Sequence, residues 1–427
     1  MGLYAGIVIA FLSLTGALAV FIPEIEYLLT KKYQVAPESG SRPDWGKVQR
    51  DLLEKYGDHT LNGIEIPGSP DRPFNYLFFQ NTENGFQASL AFVNPYNGEI
   101  LGAIERNNSI PNFLRQIHVR LFDGWYGRQI VGLAGIALAV SCITGLWIYG
   151  SFMKRQVFAS IRSGRGIRIA SADWHKLIGI SALLFNFVIA VTGAWLGLQP
   201  KLMSWFDMEI PNRYVVEREI MAPEADAAYP VAIDKALEQS RKAIEGFIPL
   251  RVQLSDDGSG TVAVFGNVAQ GIYERGANKV VMDKASLSPL FVYDVREQAF
   301  GHQLYYVQEA LHFGDFGGMT LKILYAVLGL TTGFLSITGF IIYLKRKEAK
   351  AVSRYKTEKV VFTYCMGGLL FFLLTGWFTV TAGYAITSTV ITYGVYIFLA
   401  SYASFLGIKS LRKKKIYKQK KHAKAVQ

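Results

Sequence analysis

Residues 130–152 read IVGLAGIALAVSCITGLWIYGSF, an apolar run without a Lys, Arg, Asp or Glu. Core strands are never this long, whereas a helix needs roughly 20 apolar residues to cross a bilayer. Five more charge-free runs have comparable length: Leu3–Ile22, Leu177–Leu198, Ile323–Leu344, Val360–Ala382 and Ala385–Ile408. The sequence therefore predicts an α-helical polytopic membrane protein with about six transmembrane helices. For the first run a cleaved signal peptide is the alternative, since Ala17-Leu18-Ala19 resembles a cleavage site.

Positive charge is concentrated after every second run. The chain of 427 residues has a formal net charge of +12, and its basic clusters lie at 154–168, 345–359 and 409–424. Cytoplasmic loops of membrane proteins are enriched in Lys and Arg. Both termini are therefore expected in the cytoplasm, and the long segments 23–115 and 199–308 outside. This distribution indicates membrane lipid as a partner and no nucleic acid.

The two long segments have the mixed composition of soluble domains. The first has a helix candidate at Asp44–Tyr56 and strand candidates at 61–66, 76–79, 86–93 and up to Ile104; the second has a helix candidate at Val231–Ala243 and strand candidates near 250–254, 261–265, 279–282 and up to Val295. Each predicts a small α+β domain, with one helix on an antiparallel sheet.

The membrane runs repeat. Aligning His118 with His312 also aligns Thr144-Gly145 with Thr338-Gly339, and a second alignment matches Thr192-Gly193 with Thr15-Gly16. The repeating unit consists of a helix, an outer domain and a second helix. It is present twice and is followed by a hairpin of two helices, and a pseudo-two-fold axis along the membrane normal would relate the two copies. The predicted boundaries are 1–22, 116–153, 174–198 and 309–344 for four helices, 23–115 and 199–308 for the outer domains, 154–173 and 345–359 for cytoplasmic loops, 360–408 for the hairpin and 409–427 for a basic tail.

Histidines are the candidate metal ligands. His118 and His312 occupy equivalent positions, which suits two axial ligands on opposite sides of a haem iron. His175 lies towards the other side of the membrane, and its repeat partner would fall upstream of Met1. The sequence thus predicts haem b, two copies in all, with the inner one lacking a second ligand in this sequence. The alternative for each histidine is an ordinary polar residue near lipid head groups.

The remaining candidates have weaker patterns. Arg120 and Arg128 are predicted to pair with haem propionates, and interfacial anchoring is their alternative. Counted along a straight helix, His118 would stand roughly 18 Å above Ile130, at or above the head groups. Packing is the default role of the Thr-Gly pairs. Residues without a predicted ligand role are His59, His302 and His422, and also Cys142 and Cys365, which read as small apolar core residues.

Three stretches carry a family resemblance: residues 118–128, HVRLFDGWYGR; residues 173–179, DWHKLIG; and residues 311–314, LHFG. With turns such as Asn94–Gly98, they make residues 1 to about 347 similar to the PepSY-associated transmembrane family. The resemblance implies two PepSY-like periplasmic domains, a bacterial inner-membrane location and a link to iron acquisition. It maps the family's ligand histidines onto His118, His175 and His312, whereas the hairpin at 360–408 has no counterpart in the family pattern.

The resulting hypothesis is an inner-membrane di-haem b-type electron-transfer protein, a haem-dependent reductase of ferric siderophores or other ferric chelates on the periplasmic side. Because the sequence contains no flavin or nicotinamide motif, the donor is expected to be a separate cytoplasmic reductase or a quinol. The first alternative is a non-redox protein whose PepSY domains bind or regulate peptides or proteases, or assist iron uptake. A transporter accessory is disfavoured because the predicted spans contain no charged residue.

Overall fold

A computed structural model describes residues 2–348 except 39–42, 58, 83–84, 122–123, 154–159, 163, 214–230, 255–259, 269–271 and 274. The predicted helices Val360–Ala382 and Ala385–Ile408, the basic tail with His422, and Cys365 lie outside the described residues.

The described chain contains three helices long and apolar enough to cross a membrane, at Trp125–Gly150, Leu183–Trp205 and Gly318–Arg346. A fourth candidate is the bent pair Ala5–Ala19 and Ile22–Leu29, which meet at 50°. The complete helices are α1 (Gly2–Ala19), α2 (Ile22–Leu29), α5 (Gly124–Met153), α7 (Leu183–Trp205) and α10 (Gly318–Glu348). The protein is therefore a membrane protein, with three or four candidate spans in the part that the structure describes.

Small residues bring these helices together in two pairs. In the pair α5–α7, a Cβ atom on Gly197 would lie 2.5 Å from the backbone of Gly132. In the pair α1–α10, the Gly333 amide donates to the Ser13 hydroxyl at 2.8 Å. In a bilayer, where apolar burial does not drive helix association, such close backbone approach and interhelical hydrogen bonds do so.

One predicted span is longer than expected and includes a charge. The candidate span in α10 begins at Gly318, before the predicted start at Ile323, so it contains Lys322. That side chain is buried and donates to Glu24 of α2 at 2.6 Å. The prediction of charge-free spans is therefore wrong at this end, where a salt bridge compensates the buried ammonium group.

Outside the membrane helices, the chain forms a domain of strands and two helices. Its elements are α3 (Trp45–Lys55), β1 (Thr60–Glu65), β2 (Phe74–Thr82), β3 (Gly85–Val93), β4 (Ile100–Glu105), α8 (Ile233–Ala243), β5 (Phe247–Gln253), β6 (Thr261–Val268), β7 (Asn278–Asp283) and β8 (Pro289–Tyr293). Asp44 caps α3, because its carboxylate accepts from the Lys47 amide at 3.0 Å. These elements follow the order that the sequence predicts.

The two predicted sheets are one sheet, which corrects the prediction of two separate domains. The strand order is β4-β3-β2-β1-β5-β6-β7-β8, and β1 pairs antiparallel with β5 through Glu65 and Arg251. Both helices lie over the same shared core, and the Trp45 indole of α3 donates to Asp234 of α8 at 2.7 Å. The physical reason is that each four-stranded half would otherwise expose an unpaired edge strand.

Three shorter helices lead into the membrane helices: α4 (Ile110–Arg120), α6 (Ile167–Ser181) and α9 (Phe300–Phe313). Each of α4 and α9 ends one or two residues after a histidine, where the backbone turns left-handed at Leu121 (φ 47°) and Gly314 (φ 64°). The predicted helices 116–153 and 309–344 are therefore each broken, and 174–198 is broken between α6 and α7. A left-handed residue ends a helix because it satisfies the last carbonyls while reversing the chain.

Candidate functional site

His118 and His312 lie close together although they come from different halves of the chain. Their ring centroids lie 6.5 Å apart with an angle of 30° between the planes. With an imidazole–metal bond of about 2 Å and about 1.2 Å from nitrogen to centroid, two rings facing each other across one metal ion have centroids roughly 6.4 Å apart. The spacing therefore fits two axial ligands of one iron.

The Nδ1 atoms of both rings are held by threonines. His118 Nδ1 lies 3.1 Å from the Thr15 hydroxyl of α1, and His312 Nδ1 lies 3.0 Å from the Thr192 hydroxyl of α7. Each hydroxyl donates to the carbonyl four residues earlier in its own helix, so its oxygen can accept a proton from Nδ1. We assign the hydrogen to Nδ1 on this basis. The lone pair of Nε2 is then left for a metal, with the ring orientation fixed by the threonine.

The glycine after each threonine makes room for the ring. A Cβ atom on Gly16 would lie 2.8 Å from Cε1 of His118, and one on Gly193 would lie 3.1 Å from Cε1 of His312. Any side chain at these positions would push the imidazole out of place. The Thr-Gly pairs, for which sequence reasoning favoured packing alone, therefore form the seats of the histidines.

His175 has the same kind of seat elsewhere in the membrane region. Its Nδ1 lies 2.9 Å from the Thr338 hydroxyl of α10, and a Cβ atom on Gly339 would lie 3.4 Å from its Cε1. A fourth Thr-Gly pair, Thr144-Gly145, differs. Its threonine bonds to carbonyls of its own helix, and no described atom lies within 4 Å of a Cβ atom on its glycine.

The depth of His118 differs from the straight-helix expectation. Since α4 ends at Arg120 and α5 is a separate helix, His118 does not stand above Ile130 on a continuous helix. It packs instead against Thr15, one turn inside the end of α1. The histidine pair therefore lies beside the membrane helices α1 and α7 rather than above them.

The two predicted propionate-binding arginines have different surroundings. Arg128 donates to the Leu196 carbonyl at 2.7 and 3.0 Å and to Gln199 at 3.2 Å, which ties α5 to α7. Arg120 is exposed at the end of α4 and makes no salt bridge among the described residues. Arg120 is therefore available to an anionic group, whereas much of the donor capacity of Arg128 is used within the protein.

The other described histidines do not join the site. His302 is exposed and stacks on Tyr293 of the sheet, with ring centroids 6.5 Å apart. His59 contacts Tyr56 in the sheet domain. No cluster of three or more His, Cys, Asp or Glu that would hold a bare metal ion occurs among the described residues. A haem iron needs only two protein ligands, which the pair of facing histidines supplies.

Sequence reasoning missed the hydrogen bonds from the histidines to Thr15, Thr192 and Thr338. The signal was the recurrence of Thr-Gly in the same four spans that the repeat relates. The sequence alone favours packing as the role of these pairs, because it does not reveal which helix lies opposite each one.

Comparison with known proteins agrees with this architecture. Residues 1–346 match the model of the family described as "PepSY-associated TM region". An uncharacterized protein of Pseudomonas aeruginosa is 26% identical over 278 residues, which cover 60% of this chain and 69% of that relative. Since the family match covers most of the chain, the protein belongs to the PepSY-associated TM region family.

Proposed function

We propose that the protein binds haem b between His118 and His312 and acts as an inner-membrane electron-transfer protein that reduces a ferric chelate on the periplasmic side. The observation that carries the proposal is the 6.5 Å separation of the two facing rings. Both rings also have their Nδ1 atoms engaged by threonines, which leaves Nε2 for the iron. Bound haem would supply one-electron chemistry that no side chain of the described chain offers.

The protein's residues set the conditions for that chemistry. Thr15 and Thr192 orient the rings and, by accepting from Nδ1, would make the opposite nitrogens better donors to a bound iron. Gly16 and Gly193 leave space for the rings. Arg120 is the cation nearest in sequence to His118 that is free to pair with a propionate.

We extend the proposal to a second haem at His175. The Thr332 hydroxyl of α10 donates to Asn186 of α7 at 2.7 Å, which puts these two residues at one level. Thr192 lies six residues away on α7 in one direction and Thr338 six residues away on α10 in the other. At 1.5 Å per residue, the levels of the two histidine seats are about 18 Å apart. The ligand sites would thus serve opposite sides of the membrane.

The wider organisation belongs to the same proposal. It comprises six transmembrane helices, two copies of a helix–domain–helix unit with PepSY-like halves on the periplasmic side, and both termini in the cytoplasm. The basic clusters at 154–168 and 345–359 support this orientation. The electron donor would be a separate cytoplasmic reductase or a quinol, and the acceptor a ferric siderophore or similar chelate. Reduction would release the metal, because oxygen chelators favour Fe(III) over the softer Fe(II).

The test is a single-turnover reaction. Haem-loaded protein is reduced with dithionite under anaerobic conditions, freed of excess reductant and mixed with a ferric chelate, while haem oxidation and Fe(II) release are followed together. Equal amounts of oxidised haem and released Fe(II) are expected. Haem that stays reduced would refute the reductase role, and a purified protein that holds no haem would favour a non-redox binding or regulatory module.

A further inference from the structure

The side of the sheet that faces away from α3 and α8 carries a row of charges where the two halves join. Side chains alternate between the faces of a strand, and those that point to the two helices form the core. On the other face, the register places Glu65, Arg251, Phe265 and Lys279 next to one another on β1, β5, β6 and β7. Arg251 lies 4.5 Å and Lys279 5.0 Å from the centroid of the Phe265 ring.

The carboxylate next to these two cations is that of Glu65, which lies opposite Arg251 and whose charge acts on it. The carboxylate of Glu65 is engaged by Arg106 at 2.9 Å. Arg251 and Lys279 make no salt bridge among the described residues. Burial, and then the positive charge of Arg251, lowers the pKa of Lys279. Two unpaired cations in one row repel each other, and a bound anion would relieve that repulsion.

Two carboxyl groups approach the same region from the helices. Glu26 on α2 lies close enough to the sheet for its carboxyl group to interact electrostatically with Glu65 and Arg106. Burial raises the pKa of Glu309 on α9. Both carboxyl groups have basic neighbours, since the charges of Arg106 and Arg72 act on Glu26 and those of Arg275 and Arg128 act on Glu309.

Arg115 connects this row to the histidine pair. It lies on α4 three residues before His118, so the two side chains are neighbours on the helix. Burial lowers its pKa, and it also feels the charges of Arg106 and Glu65 on the sheet. The side chain is nevertheless exposed to solvent. An exposed guanidinium group near the charged row of the sheet is accessible to an anionic ligand.

Arg275 closes the opposite wall. It precedes β7, and its guanidinium group lies 3.4 Å from the centroid of the Phe313 ring, the residue after His312. It forms a salt bridge with Asp315 at 2.8 Å. Its charge also acts on Arg115. The cationic row thus extends to both histidine-bearing helices.

We propose that Arg115, Arg251 and Lys279 line a binding cleft, between the sheet and the histidine pair, for a small polyanionic chelate. Guanidinium groups bind carboxylates in a bidentate manner, and the ammonium group adds a point charge. The inference rests on the proposed reductase function and deepens it: the preferred substrates are ferric chelates with excess carboxylate or catecholate charge, rather than neutral hydroxamate complexes.

A redox-inert probe separates this inference from the reductase function. Gallium(III) citrate carries the charge of an anionic ferric chelate but accepts no electron under these conditions. Its affinity for the full-length, haem-loaded protein in detergent free of anionic lipid is measured by calorimetry, beside that of a neutral gallium trihydroxamate. The variants are Arg251→Gln and Lys279→Gln, and Arg50→Gln on α3 is the control with the same charge change on the opposite side of the sheet.

We expect gallium citrate to bind the wild type. Its affinity should fall roughly tenfold in each cleft variant and remain unchanged in Arg50→Gln. Added salt should weaken binding to the wild type more than to the cleft variants. Equal affinity for the neutral complex, or equal effects of all three substitutions, would overturn the proposal. Two further results would also overturn it. Binding that occurs only without haem would mean that the cations pair with haem propionates, and competition by phosphatidylglycerol would mean that they bind lipid. Each of these outcomes leaves the single-turnover test of reduction intact.

Discussion

Alanine substitutions at Gly16, Gly193, Gly339 and Gly145 should disturb the histidines in a graded order. A Cβ atom would lie 2.8 Å from Cε1 of the facing histidine at Gly16, 3.1 Å at Gly193 and 3.4 Å at Gly339, and would meet nothing within 4 Å at Gly145. The Gly16 distance is about 0.6 Å shorter than the 3.4 Å at which ordinary van der Waals contact begins. Gly16→Ala must therefore move His118 by about that amount, which is large compared with an imidazole–metal bond of about 2 Å.

The assay is haem content per protein and the visible spectrum of each purified variant. Gly16→Ala should lose or perturb most of the haem signal of the outer site, Gly193→Ala less, and Gly339→Ala and Gly145→Ala should resemble the wild type. Helix propensity favours Ala over Gly by about 0.8–1.0 kcal/mol, so a general loss of helix stability would not explain this order. An unchanged spectrum in Gly16→Ala, or an equal effect at Gly145, would refute the role of the glycines as histidine seats.

Three further predictions concern other parts of the protein. Thr192→Val removes the acceptor of His312 Nδ1 and should weaken haem retention roughly tenfold or more, whereas Thr144→Val should not; haem-transfer titration measures both. Asp173 is held by Arg162 at 2.8 Å and Lys176 at 3.1 Å, which keep the pKa of its carboxyl group far below the ordinary value. The carboxylate therefore stabilises the fold fully above its unfolded pKa of about 3.9, and this stabilisation is lost as the pH falls through the lower folded pKa. Asp173→Asn should lower the free energy of unfolding by about 1–2 kcal/mol at pH 7 and progressively less towards pH 3, which melting curves at the two pH values measure. Gly63→Val would bring a Cβ atom within 2.5 Å of the Val252 carbonyl and should reduce the stability of the sheet domain by about 1–3 kcal/mol, because it separates β1 from β5. Faster proteolysis of the sheet domain would show this loss, and Gly68→Val, whose Cβ atom meets nothing within 4 Å, should not cause it.

The positions of the described membrane helices could be read from the sequence because charge-free runs of about 20 residues have few other uses. The bends could not. Leu121 gives no sign in the sequence of its left-handed conformation, which ends α4 before α5 begins. The consequence is large, since a straight helix would carry His118 away from Thr15.

The strands and helices of the sheet domain could be predicted from the alternation of apolar and polar residues and from turn residues. The assembly of these elements into one sheet could not. The pairing of Glu65 with Arg251 joins residues far apart in the chain and depends on two edge strands being left open. The histidine pair was predictable because the repeat gave His118 and His312 equivalent positions. Their partners were not, since Thr15 and Thr192 belong to helices whose neighbours only the fold defines.

The central claim is that His118 and His312 hold one haem between them. The most direct measurement is the dithionite-reduced minus oxidised absorption spectrum of the purified wild type beside His118→Ala, His312→Ala and His302→Ala, the last being an exposed histidine on the same helix as His312. We predict sharp b-type α bands in the wild type and in His302→Ala, and loss of the same component in each of the other two variants. A wild type without such bands, or bands that survive both substitutions, would contradict the account.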